Sequence, residues 1–159
     1  MARSAKTVAK RKILPDAVYN SRLLEKLINR IMFSGKKSTA RKQVYLAMEI
    51  LKKNNPDPLK TFETAINMVG PRMEVRPKRV GGASYQVPVE VKGERRIALA
   101  IRWITASAKK RSNKEYHTYA EKLAAEITDA LKGLGESIKK RDTVQRMADA
   151  NRAFAHFRW

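Results

Sequence analysis

The sequence predicts a mainly α-helical fold, a bundle of about six helices with one protruding two-stranded β-hairpin between the third and the fourth. Three observations carry that prediction. Apolar residues recur every three or four positions through most of the chain, the period drops to two over the single stretch 72–91, and Gly, Pro and Asn pairs mark the joints between segments. An apolar share of 43% is ample for a packed core, and 159 residues suit one domain better than two.

Taken in order, residues 1–12 carry Arg3, Lys6, Lys10, Arg11 and Lys12 with few apolar neighbours. They are expected to be a flexible basic arm, ordered only by a phosphate backbone, with residues 13–159 forming the helical domain. The same composition occurs in organellar transit peptides, but no cleavage signal is evident before Pro15 and Asp16. From Ser21, the residues Leu23, Leu24, Leu27, Ile28, Ile31 and Met32 make one helical stripe, with Gly35 as its expected stop. A second helix follows Ser38 on Ala40, Val44, Ala47 and Leu51, and ends at Asn54-Asn55-Pro56. Asp57 then supplies an N-cap and Pro58 a first helical position for a third, on Leu59, Phe62, Ile66 and Val69, which Gly70-Pro71 closes.

Over the next stretch Met73 and Val75 alternate with Glu74 and Arg76. Beyond Gly81-Gly82, the residues Tyr85, Val87, Val89 and Val91 alternate with Gln86, Pro88 and Glu90. Adjacent glycines supply the positive φ of a tight reversal, and Pro77 and Pro88 each remove a ladder donor, so neither strand can be central in a larger sheet. Such a ribbon must rest its base on helices while its tip projects. A fourth helix, from about Arg96 to Lys110, places Ile97, Ile101, Ile104 and Ala108 on one face and Arg95, Arg102 and Lys109 on the other. The fifth uses Tyr116, Ala120, Leu123, Ile127 and Leu131 and breaks at Gly133-Leu134-Gly135. The sixth carries Ile138, Val144, Met147 and Ala148, followed by an aromatic tail, 151–159, that either folds back on the domain or docks on a neighbour.

Charge points to the partner. Thirty-five Lys and Arg against 15 Asp and Glu give a net +20, a self-repulsion that a polyanion relieves. No apolar run is long enough to span a bilayer, and no exposed amphipathic helix with a basic face suggests a membrane surface. The absence of cysteine removes thiolate metal sites and cysteine nucleophiles. His117 and His156 lack partners at ligand spacing, and Gly35-Lys36-Lys37-Ser38 fails as a phosphate-binding loop, because Arg30 stands where that motif needs a glycine and Lys37 where it needs a hydroxyl. No catalytic constellation, cofactor or small-molecule substrate is indicated. Each basic cluster alone reads as a solvated face, but their joint excess, spread over an arm, a loop, a ribbon and helix ends, suits a folded RNA better than a DNA groove.

Several segments go further. The run KILPD at 12–16, GKKS at 35–38, RVGGASYQVPVEV at 79–91, the block from Arg95-Arg96 through Leu99 to Arg102-Trp103, and the ending MADANRAFAHFRW at 147–159 resemble, in register, the small-subunit ribosomal protein seven family. The resemblance implies a helical bundle with an extended β-arm, in the cytoplasm, bound to the 3′ major domain of 16S rRNA. Such proteins nucleate assembly of the subunit head and lie at the subunit interface near the decoding centre. Carried onto this chain, rRNA binding falls on Lys10, Arg11, Lys12, Lys36, Lys37, Arg76, Lys78, Arg79, Arg95, Arg96, Arg102, Lys109 and Arg111. The hairpin tip, Gly81, Gly82, Ala83 and Ser84, and Arg146, Arg152, Phe154, Phe157 and Trp159 of the last helix and tail would face the exit-site tRNA or a neighbouring protein, the small-subunit proteins nine and eleven being the implied neighbours.

Overall fold

A computed structural model describes residues 12–157. Six α-helices and a closing 3₁₀ turn follow one another, with the hairpin between the third and fourth helices as the sequence predicts. The helix α1, Arg22–Ile31, starts where the Ser21 hydroxyl accepts from the Leu24 amide at 3.4 Å. It stops at Met32, three residues before Gly35: Ser34 and Gly35 both take positive φ, so the reversal is a two-residue turn rather than a glycine cap. Helix α2, Lys37–Asn54, therefore begins one residue before Ser38. In α3, Pro58–Val69, the Asp57 carboxylate accepts from the Lys60 amide at 3.1 Å with proline at the helix start, and Gly70 ends it.

Strands β1, Met73–Val80, and β2, Ala83–Glu90, pair antiparallel from Met73 opposite Glu90 to Val80 opposite Ala83. The two-residue turn needs left-handed backbone twice, and Gly81 and Gly82 provide it at φ +57° and +88°. One expectation fails here. Alternation predicts Glu74 on the wet face of β1, yet it is buried, because Arg76 and Arg95 neutralise it from either side.

Helix α4, Gly93–Lys110, begins three residues earlier than its periodicity indicates. Helix α5, Tyr119–Leu131, opens with a reciprocal cap in which Thr118 and Glu121 each accept from the other's amide, and this leaves Tyr116 in the preceding loop rather than in the helix. Helix α6, Glu136–Ala150, buries Ile138 and Ala148 but leaves Met147 exposed, contrary to its place in the predicted stripe. Helix α5 sits centrally, packed on α2, α3 and α4. Its Leu123 and Ile127 meet Leu27 and Ile28 of α1, Val44 and Met48 of α2, Phe62 and Ile66 of α3, and Ile101 and Ile104 of α4 in one apolar core. The hairpin lies outside that core, with β1 against α6 and β2 against the 3₁₀ turn Arg152–Phe157.

Candidate nucleic-acid interface

The predicted contact residues divide by what already holds them. Lys10, Arg11 and Trp159 lie outside the described residues, and Lys12 is exposed at their edge. In the loop between α1 and α2, Lys37 pairs with the buried carboxylate of Glu25, while Lys36 points into solvent with no partner among the described residues. On β1, Arg76 donates to Glu74 at 2.7 Å, Lys78 donates to the Phe157 carbonyl at 3.1 Å, and Arg79 is exposed and unpartnered among the described residues.

On α4 the same split recurs. Arg95 donates twice to Glu74, at 2.7 Å through Nε and at 2.7 Å through Nη2. Those bonds, the strongest influence on it, hold the Glu74 carboxyl below its ordinary value against the upward push of burial, with Arg76 adding to them. Both guanidiniums remain half-exposed, and each keeps donors spare for a phosphate. Arg96 turns inward to the carbonyls of Asn67, at 3.0 Å, and Gly70, at 3.2 Å, and so completes the C-terminus of α3. Its side chain lies where a Cβ on residue 70 would stand, so a larger residue there would have to displace it. Arg111 is the most internal. It donates to Glu126 at 2.9 and 2.7 Å and to Asp129, and it lies 5.5 Å from the centre of the Tyr116 ring. Arg102 and Lys109 are exposed and unpartnered among the described residues, on the face opposite Ile101, Ile104 and Ala108.

The fold gathers these cations into grooves. Lys36 and Lys109 come together beside Phe33 in one of about 250 Å³, lined also by Ile31, Thr39, Ala40, Gln43 and Tyr119. Arg102 lies with Lys26 and Arg30 of α1 in a second, of about 400 Å³, where Glu94 bonds Lys26 at 3.5 Å. A third, of about 310 Å³ at the end of α3, joins Arg96 to Arg72 and Arg141, the last donating to the Met68 carbonyl at 2.8 Å. Lys26, Arg30, Arg72 and Arg141 were not among the predicted contacts. The spacing of four between Lys26 and Arg30, off the apolar stripe of α1, was the available signal.

The tail folds back on the hairpin. Tyr85 of β2 packs against Phe154 and Phe157 with ring centres 5.3 and 5.1 Å apart, so those two rings serve the hairpin before any neighbour. The turn residues Gly81, Gly82, Ala83 and Ser84 are exposed, as are Arg146 and Arg152. Among the described residues there is no cluster of His, Asp or Glu fit for a metal, and no helix is long and apolar enough to cross a membrane.

Comparison with known proteins agrees on one family. The profile described as ribosomal protein S7p/S5e matches residues 3–152. The small ribosomal subunit protein uS7 of Caldicellulosiruptor bescii is 54% identical over 153 residues, 96% of either chain. Its counterparts in Caldanaerobacter subterraneus and Thermodesulfovibrio yellowstonii are 56% and 55% identical over the same share.

Proposed function

The chain belongs to the ribosomal protein S7p/S5e family, and from that premise we propose that it is a structural, non-catalytic constituent of the small ribosomal subunit. The observation that carries this reading is the family match along nearly the whole chain. Its finer content is a primary binder of 16S rRNA, which recognises the 3′ major domain, nucleates assembly of the head in the cytoplasm, and lies at the subunit interface near the decoding centre.

The distribution of charge supports an RNA of irregular shape. Cations are exposed on the α1–α2 loop, on the ribbon and along α4, on surfaces too dispersed for one groove of duplex DNA. Lys36, Arg79, Arg102 and Lys109 meet phosphates directly in this reading. Arg76 and Arg95 do so with their spare donors, whereas Arg96 and Arg111 hold the domain in shape. The exposed turn at residues 81–84, with Arg146 and Arg152, faces the exit-site tRNA or the neighbouring small-subunit proteins nine and eleven.

Filter binding tests the reading. At about 150 mM salt, a transcript of the 3′ major domain should bind far more tightly than duplex DNA or an unrelated RNA of equal length, since non-specific phosphate attraction falls steeply with salt. Equal affinity for duplex DNA would favour an architectural DNA-binding protein instead.

A further inference from the structure

The groove beside Phe33 has features that phosphate attraction alone does not use. Phe33 is 78% exposed, a large ring held in water by a turn in which Ser34 and Gly35 both take positive φ. Behind it, Ile31, Ala40 and the Tyr119 ring form an apolar floor. The Tyr119 hydroxyl itself is buried beneath that floor, with no hydrogen-bond partner among the described residues. Gln43 is fixed by accepting from the Ala120 amide at 3.2 Å, which leaves its own amide nitrogen to donate. Lys36 and Lys109 complete the wall, and none of the described lining residues is acidic.

We propose that this groove receives one unstacked base of the bound RNA, with Phe33 as its stacking platform, the Tyr119 ring in its floor, Gln43 at its polar edge, and Lys36 and Lys109 on the flanking phosphates. The proposal rests on the reading above that the partner is folded rRNA. A flat apolar slot with polar groups at its edge and cations at its rim matches a nucleotide part by part: ring face, base edge, phosphate. An A-form helix, whose bases are stacked inside, would leave the ring and the floor uncovered. A second protein segment could cover the floor, but a wall carrying two lysines and no carboxylate disfavours most acid-free occupants.

The test uses the full-length protein and the 3′ major domain transcript. Phe33→Ala should weaken binding by about fivefold to a hundredfold, the usual worth of one base–aromatic stack, while leaving the salt dependence unchanged because no charge is lost. Phe33→Tyr should retain affinity near that of the parent. Phe33 is exposed, so circular dichroism and melting temperature should be the same in all three proteins. A photoreactive benzoylphenylalanine at position 33 should crosslink to one unpaired nucleotide. The proposal is overturned if Phe33→Ala binds like the parent while Lys36→Ala with Lys109→Ala lowers the salt dependence, for then the backbone passes over the groove without inserting a base. Crosslinks to paired nucleotides, or to this chain itself, overturn it equally. A parent protein with no preference for the transcript would instead remove the rRNA reading on which the proposal stands.

Discussion

The carboxylate of Glu126 is 1% exposed and accepts four hydrogen bonds, two from Arg111 and two from Ser137 through its amide at 3.0 Å and its hydroxyl at 2.7 Å. Gly135 leaves that approach open, since a Cβ there would stand 3.1 Å from the Glu126 oxygen. Arg111→Ala would strand the charge, and a loss of about 3–5 kcal/mol is expected in chemical denaturation, against under about 0.5 kcal/mol for the exposed Arg102→Ala. Glu74 makes a pH-dependent prediction. Its carboxyl in the folded protein lies below the ordinary 4.5, so as pH falls the unfolded chain takes up the proton first. Its stabilising share is therefore present above about pH 5 and is lost as pH drops through the folded value. Melting temperature followed from pH 6 to pH 3 should fall less steeply in Glu74→Gln than in the parent. Equal slopes would mean that the Arg95 pair contributes nothing in solution. Neither the Glu126–Arg111 nor the Glu74–Arg95 pairing was legible in the sequence, because they join residues 15 and 21 positions apart and only the tertiary fold sets them.

A two-stranded ribbon is marginal by itself, and here contacts outside the ladder help to hold it, among them Tyr85 with Phe154, Tyr85 with Phe157, Lys78 with the Phe157 carbonyl, and Arg95 of α4 with Glu74. Tyr85→Ala removes both ring contacts, each worth about 0.5–1.5 kcal/mol. Amide exchange in β1 and β2 should accelerate about tenfold or more, with α3 and α5 unchanged, and unaltered exchange in the strands would show that the tail is a bystander. The order and type of the elements were legible because caps, turn residues and period are local properties: Asp57-Pro58 and Gly81-Gly82 act over four residues or fewer. Burial on the hairpin was not. Alternation tells the two faces of a strand apart only when one faces a core, and this ribbon lies against α6 and the tail instead. The tail itself read equally well as docked inward or outward, since three rings want cover and the sequence does not say whose.

For the molecule as a whole, +20 is a destabilising load, and the fold sorts its cations into two populations. One, including Lys37, Arg96 and Arg111, is spent on carboxylates and helix-end carbonyls. The other, including Lys36, Arg79, Arg102 and Lys109, is exposed and unpartnered among the described residues. Counting charges in the sequence finds the sum of the two but cannot divide it. The division predicts that replacing Lys36, Arg79, Arg102 and Lys109 together by Ala leaves stability unchanged or raises it, because repulsion is relieved without loss of a bond. The same replacement should lower the slope of log affinity for the rRNA transcript against log salt by about 3, at about 0.7–0.9 per lost phosphate contact. The informative control removes equal charge elsewhere, from the exposed Lys52, Lys53, Lys60 and Lys114. A defined footprint requires the first variant to reduce the slope much more than the second. Were both to reduce it alike, the RNA would be responding to the net field of the domain, and the arrangement of α4, the α1–α2 loop and the ribbon would carry no positional information.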